Sequence, residues 1–195
     1  MKVEVFITNL KNKSIEDIFN DYKEYIKEKD IEKMDRFKLD LNKKQSIMSS
    51  ILKNKYIEGD IYYNEHGKPL SDSIFFNVSH SDDFVLLARC EKEIGVDVEH
   101  VVKEIDDDLI DYVCNRGEVS YMNQSDKNKA FYTIWTKKEA VLKLEGIGLT
   151  NKLKDLLVDN KYYLNTKYIS DYVYSIAINC DKNEVIEIKE VNEYE

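Results

Sequence analysis

Four side chains in this sequence have types and spacings suited to metal and anion chemistry: Asp97, Glu99, Glu139 and Lys143. The first two lie in Ile94-Gly95-Val96-Asp97-Val98-Glu99, where Ile94, Val96 and Val98 alternate with Gly95, Asp97 and Glu99. That period of two predicts a half-buried strand. Successive side chains then take opposite faces, so the aliphatics pack inward while the carboxylates project together, roughly 7 Å apart along the strand. Such a pair can share one hard cation, although a merely solvated strand face has the same pattern. Glu139 and Lys143 are four apart in Trp135-Thr136-Lys137-Lys138-Glu139-Ala140-Val141-Leu142-Lys143 and share one face of a helix. They read either as a surface ion pair or as a third oxygen ligand with a cation aimed at the anion a metal carries. Three carboxylates and a lysine suit Mg²⁺ on substrate phosphates, because Mg²⁺ is usually held by few protein oxygens plus phosphate and water.

The elements that must position these groups can be read outward from them. Phe131, Ile134, Trp135, Val141, Leu142 and Leu144 give the segment 126–145 a period near 3.6, with Phe131 and Trp135 as core anchors and Gly146 as C-cap. Residues 1–7 read as a first strand. Ser14-Ile15-Glu16-Asp17 has the form of a capping box opening a helix towards Lys29. A second helix is expected over 42–57, stopping before Gly59. Ile61-Tyr62-Tyr63 is a short strand, and His66-Gly67-Lys68-Pro69 is a turn holding the one proline. Residues 75–79 and 84–90 form two strands joined by His80-Ser81-Asp82-Asp83. Short helices follow at 106–112 and from Glu118. The remainder is β-rich at 156–158, 162–165, 172–180 and 185–188, with turns at 160–161 and 181–183.

The composition narrows the class. The 195 residues suit one domain or two small fused ones, and 43% hydrophobic content is enough for a core. No apolar run has the length of a membrane span, and the start of the chain is too short and acidic for a signal peptide. Cys90, Cys114 and Cys180 lack the spacings of a disulfide framework or zinc site, so a reduced, cytoplasmic protein is expected. A net charge of −9 argues against a nucleic-acid binder. Residues 83–90 resemble 171–180 at an offset of about 90, and a long helix lies upstream of each. The reading is an α/β (α+β) fold of two similar halves about a pseudo-twofold axis, 1–92 and 93–195. Each half has a long helix on a mainly antiparallel sheet, and the functional groups lie in the groove between them.

With Phe76-Asn77-Val78-Ser79-His80-Ser81, the strand 94–99 and the helix 135–143 in this order, the chain resembles the 4′-phosphopantetheinyl transferases. His66-Gly67-Lys68-Pro69 and Gly146-Ile147-Gly148-Leu149-Thr150 match the surfactin-type branch, which is monomeric and internally duplicated. The resemblance implies transfer of phosphopantetheine from coenzyme A to a serine of an apo acyl or peptidyl carrier protein, releasing adenosine 3′,5′-bisphosphate. It implies Mg²⁺ on Asp97, Glu99 and Glu139, with Lys143 stabilising or protonating the leaving phosphate. The serine's base is Glu139, a metal-bound water or Glu118. Around coenzyme A it implies His80 on the 3′-phosphate, with Ser79, Lys68, Lys33 and Lys138 nearby. One departure is Gln45, which stands where surfactin-type relatives often carry an arginine. The lysines at 127, 129, 137, 138, 152 and 154 form either a solvated face or a positive surface for an acidic carrier.

Two other readings remain at this stage. Asp-x-Glu followed by Glu and Lys also describes Mg²⁺-dependent nucleases and phosphohydrolases, although there the Glu and Lys usually stand two apart on a strand. A catalytically silent relative that only binds coenzyme A or the carrier is the third.

Overall fold

Val3, Val5 and Ile7 of the first strand, β1 (Lys2–Asn9), are buried at every second position, and that face becomes the centre of the molecule. The computed structural model describes residues 1–102, 104–148, 153–156, 161–181 and 183–193. After β1 come α1 (Ile15–Tyr22), α2 (Glu28–Met34), α3 (Asp40–Tyr56), the hairpin β2 (Ile61–Tyr63) and β3 (Pro69–Ser71), then β4 (Phe75–Ser81) and β5 (Phe84–Cys90). The second part holds β6 (Ile94–His100), α4 (Asp107–Val113), α5 (Arg116–Asn123), α6 (Lys127–Glu145), β7 (Tyr163–Ile169), β8 (Tyr172–Ile178) and β9 (Glu187–Asn192).

Two sheets form the middle layers. One has the order β4-β5-β1-β9, antiparallel except for the parallel β1–β9 pair; the other is the antiparallel β6-β8-β7. Val3, Val5, Leu86, Val96, Val98 and Ile176 belong to one apolar cluster that joins the two sheets. The outer face of the first sheet packs on α1 and α3 through Phe6, Leu87, Ile18, Ile47 and Ile51. The outer face of the second packs on α6 through Ala177, Ala140, Val141 and Leu144. This is the expected mixed fold, with helices on mainly antiparallel sheets. The segments that resemble each other in sequence, β5 and β8, are interior strands of their respective sheets. The last strand, β9, joins the first sheet beside β1 and reaches the second through Glu190, which accepts from Tyr174 and pairs with Lys167.

Some local expectations shift. The Ser14 capping box forms, with Asp17 N–H donating to Ser14 Oγ at 3.0 Å and Ser14 N–H to Asp17 Oδ2 at 2.8 Å. Its helix stops at Tyr22 rather than continuing to Lys29, because Asn54 of α3 donates to both the Tyr25 carbonyl and Asp30 Oδ2 at 2.8 Å. Asp30 in turn accepts from Lys27 N–H at 3.1 Å and so starts α2. β9 runs 187–192, later than the expected 185–188. The expected strand at 156–158 and turn at 160–161 fall largely outside the described residues, as do Leu149, Thr150, Lys152 and Lys182. Among the described residues no helix is long and apolar enough to cross a membrane.

Candidate active site

Gly95 decides how close α6 can come to β6. A methyl group at this position would lie 1.9 Å from the Ala140 carbonyl oxygen and 2.5 Å from Leu144 N, so helix backbone rests directly on strand backbone. The next residue on that strand face is Asp97, and α6 brings Glu139 and Lys143 over it. Asp97 is therefore 3% exposed, buried under the helix rather than on the open strand face that the alternation suggests.

The groups meet as follows. Asp97 Oδ1 accepts from Lys143 Nζ at 2.5 Å and from Ser79 Oγ at 3.0 Å, and Lys143 Nζ also donates to Ser79 Oγ at 2.7 Å. Asp97 Oδ2 and Glu139 Oε1 are buried without any hydrogen-bond partner. Glu99 Oε2 accepts from Ser81 Oγ at 2.9 Å. Burial, and next the charge of Asp97, push both Glu99 and Glu139 up to about 7. Two orphaned carboxylate oxygens and two carboxyls resisting ionisation mark a site short of positive charge. Among the described residues no set of three His, Cys, Asp or Glu side chains is drawn together tightly enough to hold a metal alone. A cation bound to few protein oxygens, with phosphate and water completing its shell, fits this donor set, and that is the habit of Mg²⁺.

β4 supplies the other wall. It shares no backbone ladder with β6, yet Asn77 Oδ1, Ser79 Oγ and Ser81 Oγ accept the N–H groups of Val96, Val98 and His100 at 3.0, 3.3 and 3.2 Å. Side chains at alternate positions of one strand thus take the place of a backbone ladder to the next. The sequence signal for this seam is the i, i+2, i+4 spacing of Asn, Ser and Ser, which sequence reasoning attached only to ligand binding.

A cavity of about 310 Å³ opens above this seam, between the 66–69 turn, β4 and the C-terminal end of α6. Among the described residues Glu139 is the one acidic group in its lining, which also includes His66, Lys68, Asn77, Val78 and Lys143. Lys68 Nζ donates to the Leu144 carbonyl at 2.6 Å, and Asn64 Nδ2 donates to the Gly146 carbonyl at 3.1 Å, so the turn caps α6. Gly146 takes the left-handed C-cap conformation at φ 68°. Burial lowers the Lys68 ammonium below its usual range. His80 keeps an accessible edge. Its imidazole is nonetheless lowered from its ordinary value, first by desolvation and then by the Lys143 ammonium, with Lys33 of α2 adding to the effect. Asp97 opposes the two lysines at this imidazole.

Three expected roles are corrected. The Ser79 hydroxyl has one donor and two acceptor positions, and Asp97, Lys143 and Val98 N–H take all of them, so it has none left for coenzyme A. Lys138 is fully buried and its ammonium donates to Glu118 Oε2 at 2.7 Å, the Val113 carbonyl at 2.7 Å and the Leu153 carbonyl at 2.9 Å. With all three protons used, Lys138 pins α6 to the 113–118 segment and does not bind coenzyme A. Glu118 Oε2 also accepts from Asn115 N–H at 2.8 Å as the cap of α5, which removes it as the serine's base. Gln45 donates to the Asp82 carbonyl at 2.8 Å and braces the turn after His80. In the lysine run, Lys127 lies 3.7 Å from Asp107 and Lys154 3.9 Å from Asp111, both exposed pairs. Phe131 is buried and meets Trp135 edge-on at 5.5 Å, as core anchors do.

Residues 93–181, from just before β6 to the end of β8, match the family model of the 4′-phosphopantetheinyl transferase superfamily. The 4′-phosphopantetheinyl transferase gsp of Aneurinibacillus migulanus is 32% identical over 100 residues, 49% of this chain and 42% of that protein. The 4′-phosphopantetheinyl transferase Sfp of Bacillus subtilis is 30% identical over 122 residues, 57% of this chain and 54% of that protein. The 4′-phosphopantetheinyl transferase AcpT of Salmonella typhi is 36% identical over 96 residues, 45% of this chain and 50% of that protein. The chain spans about half the length of the curated relatives it matches.

Proposed function

We propose that this chain, whose residues 93–181 match the model of the 4′-phosphopantetheinyl transferase superfamily, moves phosphopantetheine from coenzyme A to a serine of an apo acyl or peptidyl carrier protein. The single observation that carries this reading is the pair of orphaned buried oxygens, Asp97 Oδ2 and Glu139 Oε1, with Lys143 held beside them. A site short of positive charge at a cavity that already offers lysines suits a metal-bearing pyrophosphate.

Asp97, Glu99 and Glu139 would hold Mg²⁺. When bound, Mg²⁺ would draw charge from the pyrophosphate oxygens. His80 and Lys33 receive the 3′-phosphate, and Lys68 lies along the nucleotide. The carrier's serine oxygen attacks the β-phosphorus, a P–O bond forms to the serine, and the P–O bond to the α-phosphate breaks, leaving adenosine 3′,5′-bisphosphate. Glu139, an acidic residue that lines the cavity, takes the serine proton. Lys143, clamped by Asp97 and Ser79, meets the charge growing on the departing phosphate. Little else is required, because phosphoryl-type transfer is mostly positioning and charge neutralisation. The 66–69 turn and β4 on one side and α6 on the other line the cavity, so one copy of the chain would suffice.

Mixing the protein with apo carrier, coenzyme A and Mg²⁺ and weighing the carrier tests this reading. The carrier should gain one phosphopantetheine, and the gain should vanish when the metal is chelated. An unchanged carrier across acyl and peptidyl types would overturn the assignment.

A further inference from the structure

We infer that Ser81 is a positioning residue, fixing the carboxylate of Glu99 for the cation through a hydroxyl that the backbone of β6 itself holds in place. The inference rests on the Mg²⁺ reading above. Ser81 Oγ accepts His100 N–H at 3.2 Å and donates to Glu99 Oε2 at 2.9 Å. Ser79 repeats the arrangement two residues earlier, accepting Val98 N–H at 3.3 Å and donating to Asp97 Oδ1 at 3.0 Å. In both cases a β4 hydroxyl reads one strand residue's N–H and the carboxylate of the residue just before it. Each bracket therefore fixes a carboxylate to the backbone of its own strand, and leaves the carboxylate's other oxygen for a ligand.

The chemistry requires a hydroxyl. Glu99 Oε2 takes its hydrogen bond from the Ser81 hydroxyl, which anchors the carboxylate to β4. A side chain without a donor would leave Glu99 unanchored and His100 N–H unpaired, whereas threonine keeps both bonds. The third member of the seam, Asn77, serves as the contrast: it accepts Val96 N–H at 3.0 Å and holds the strands together. Its hydrogen bond goes to backbone, with neither metal carboxylate as its partner.

The test is calorimetric titration of Mg²⁺, and of Mn²⁺ as a second probe, into metal-free parent, Ser81→Ala, Ser81→Thr and Asn77→Ala, each also melted without metal. Partners that orient metal ligands typically contribute about 10- to 100-fold to affinity. Ser81→Ala should therefore bind at least about tenfold more weakly, Ser81→Thr should recover most of that loss, and Asn77→Ala should melt lower yet keep the parent affinity. If Ser81→Ala matches the parent, or if Asn77→Ala weakens binding as much as Ser81→Ala does, the seam is only structural and the inference fails. A parent that binds neither metal overturns the Mg²⁺ reading and this inference with it. Should Ser81→Ala not fold, Ser81→Cys, which keeps the size of the side chain but only a weak donor, must bind more weakly than Ser81→Thr for the inference to stand.

Discussion

Replacing Gly95 by alanine perturbs the active site through packing alone. The new Cβ would sit 1.9 Å from the Ala140 carbonyl oxygen, whereas an ordinary close carbon–oxygen contact is about 3.3 Å. The difference, about 1.4 Å, must be taken up by α6 moving off β6, because both clashing groups belong to backbone and neither can rotate aside. Ala140 and Leu144 directly follow Glu139 and Lys143 along α6, so the same shift stretches the 2.5 Å bond from Lys143 to Asp97 beyond hydrogen-bonding reach. Overpacking of this kind costs about 1–3 kcal/mol or more. For a chain of this size each kcal/mol lowers Tm by roughly 2–4 °C, so the melting point should fall by about 2–12 °C. A misplacement of about 1 Å can cost about a hundredfold in rate. Carrier modification, measured well below the variant's melting point, should fall by that order while circular dichroism still reports a folded protein. A Gly95→Ala variant with the parent's Tm and rate would refute the claim that backbone contact at Gly95 sets the site.

Other outcomes follow from the same geometry. Glu99 and Glu139 are raised to about 7, so each favours the folded state while protonated; that contribution is complete below about 4.5 and is lost as pH climbs through 7. Cation binding relieves the ionised pair, so Mg²⁺ should raise Tm more at pH 8 than at pH 6, and equal shifts in a thermal melt would count against the site. Lys138→Ala should destabilise by about 3–5 kcal/mol in denaturant unfolding, since it strands Glu118 and two carbonyls, yet it should leave the KM for coenzyme A unchanged. His80→Ala should raise that KM with little change in kcat and should lose discrimination against 3′-dephospho-coenzyme A. Lys143→Ala should instead lower kcat by about a hundredfold or more, read from initial rates at saturating coenzyme A.

Much of the site was legible because period-two and period-3.6 patterns say which side chains share a face. Asp97 and Glu99 do lie opposite Val96 and Val98, and Glu139 and Lys143 do share a face of α6. The pattern does not say what covers a polar face. The aliphatic side of β6 meets the first sheet and the carboxylate side meets α6, so both are inside; the bare backbone at Gly95 is what permits the second contact. Lys138 misleads for a related reason: a lysine among lysines reads as surface, and its burial depends on Glu118 and the carbonyls of Val113 and Leu153. Ser79 and Ser81 were found as a motif, but a motif does not reveal that β4 ends one sheet where β6 begins another. The early end of α1 depends on Asn54, more than thirty residues further on, which no local pattern contains.

The central claim is that Asp97 holds a cation on which transfer depends, and Asp97→Asn tests it with the side-chain shape kept and the charge removed. The measurement is the initial rate of carrier modification against Mg²⁺ concentration, for parent and variant at equal coenzyme A. The parent should saturate with Mg²⁺, and the variant should show almost no transfer at any concentration while melting cooperatively. Transfer by Asp97→Asn at the parent's rate, with the parent's Mg²⁺ dependence, would contradict the account.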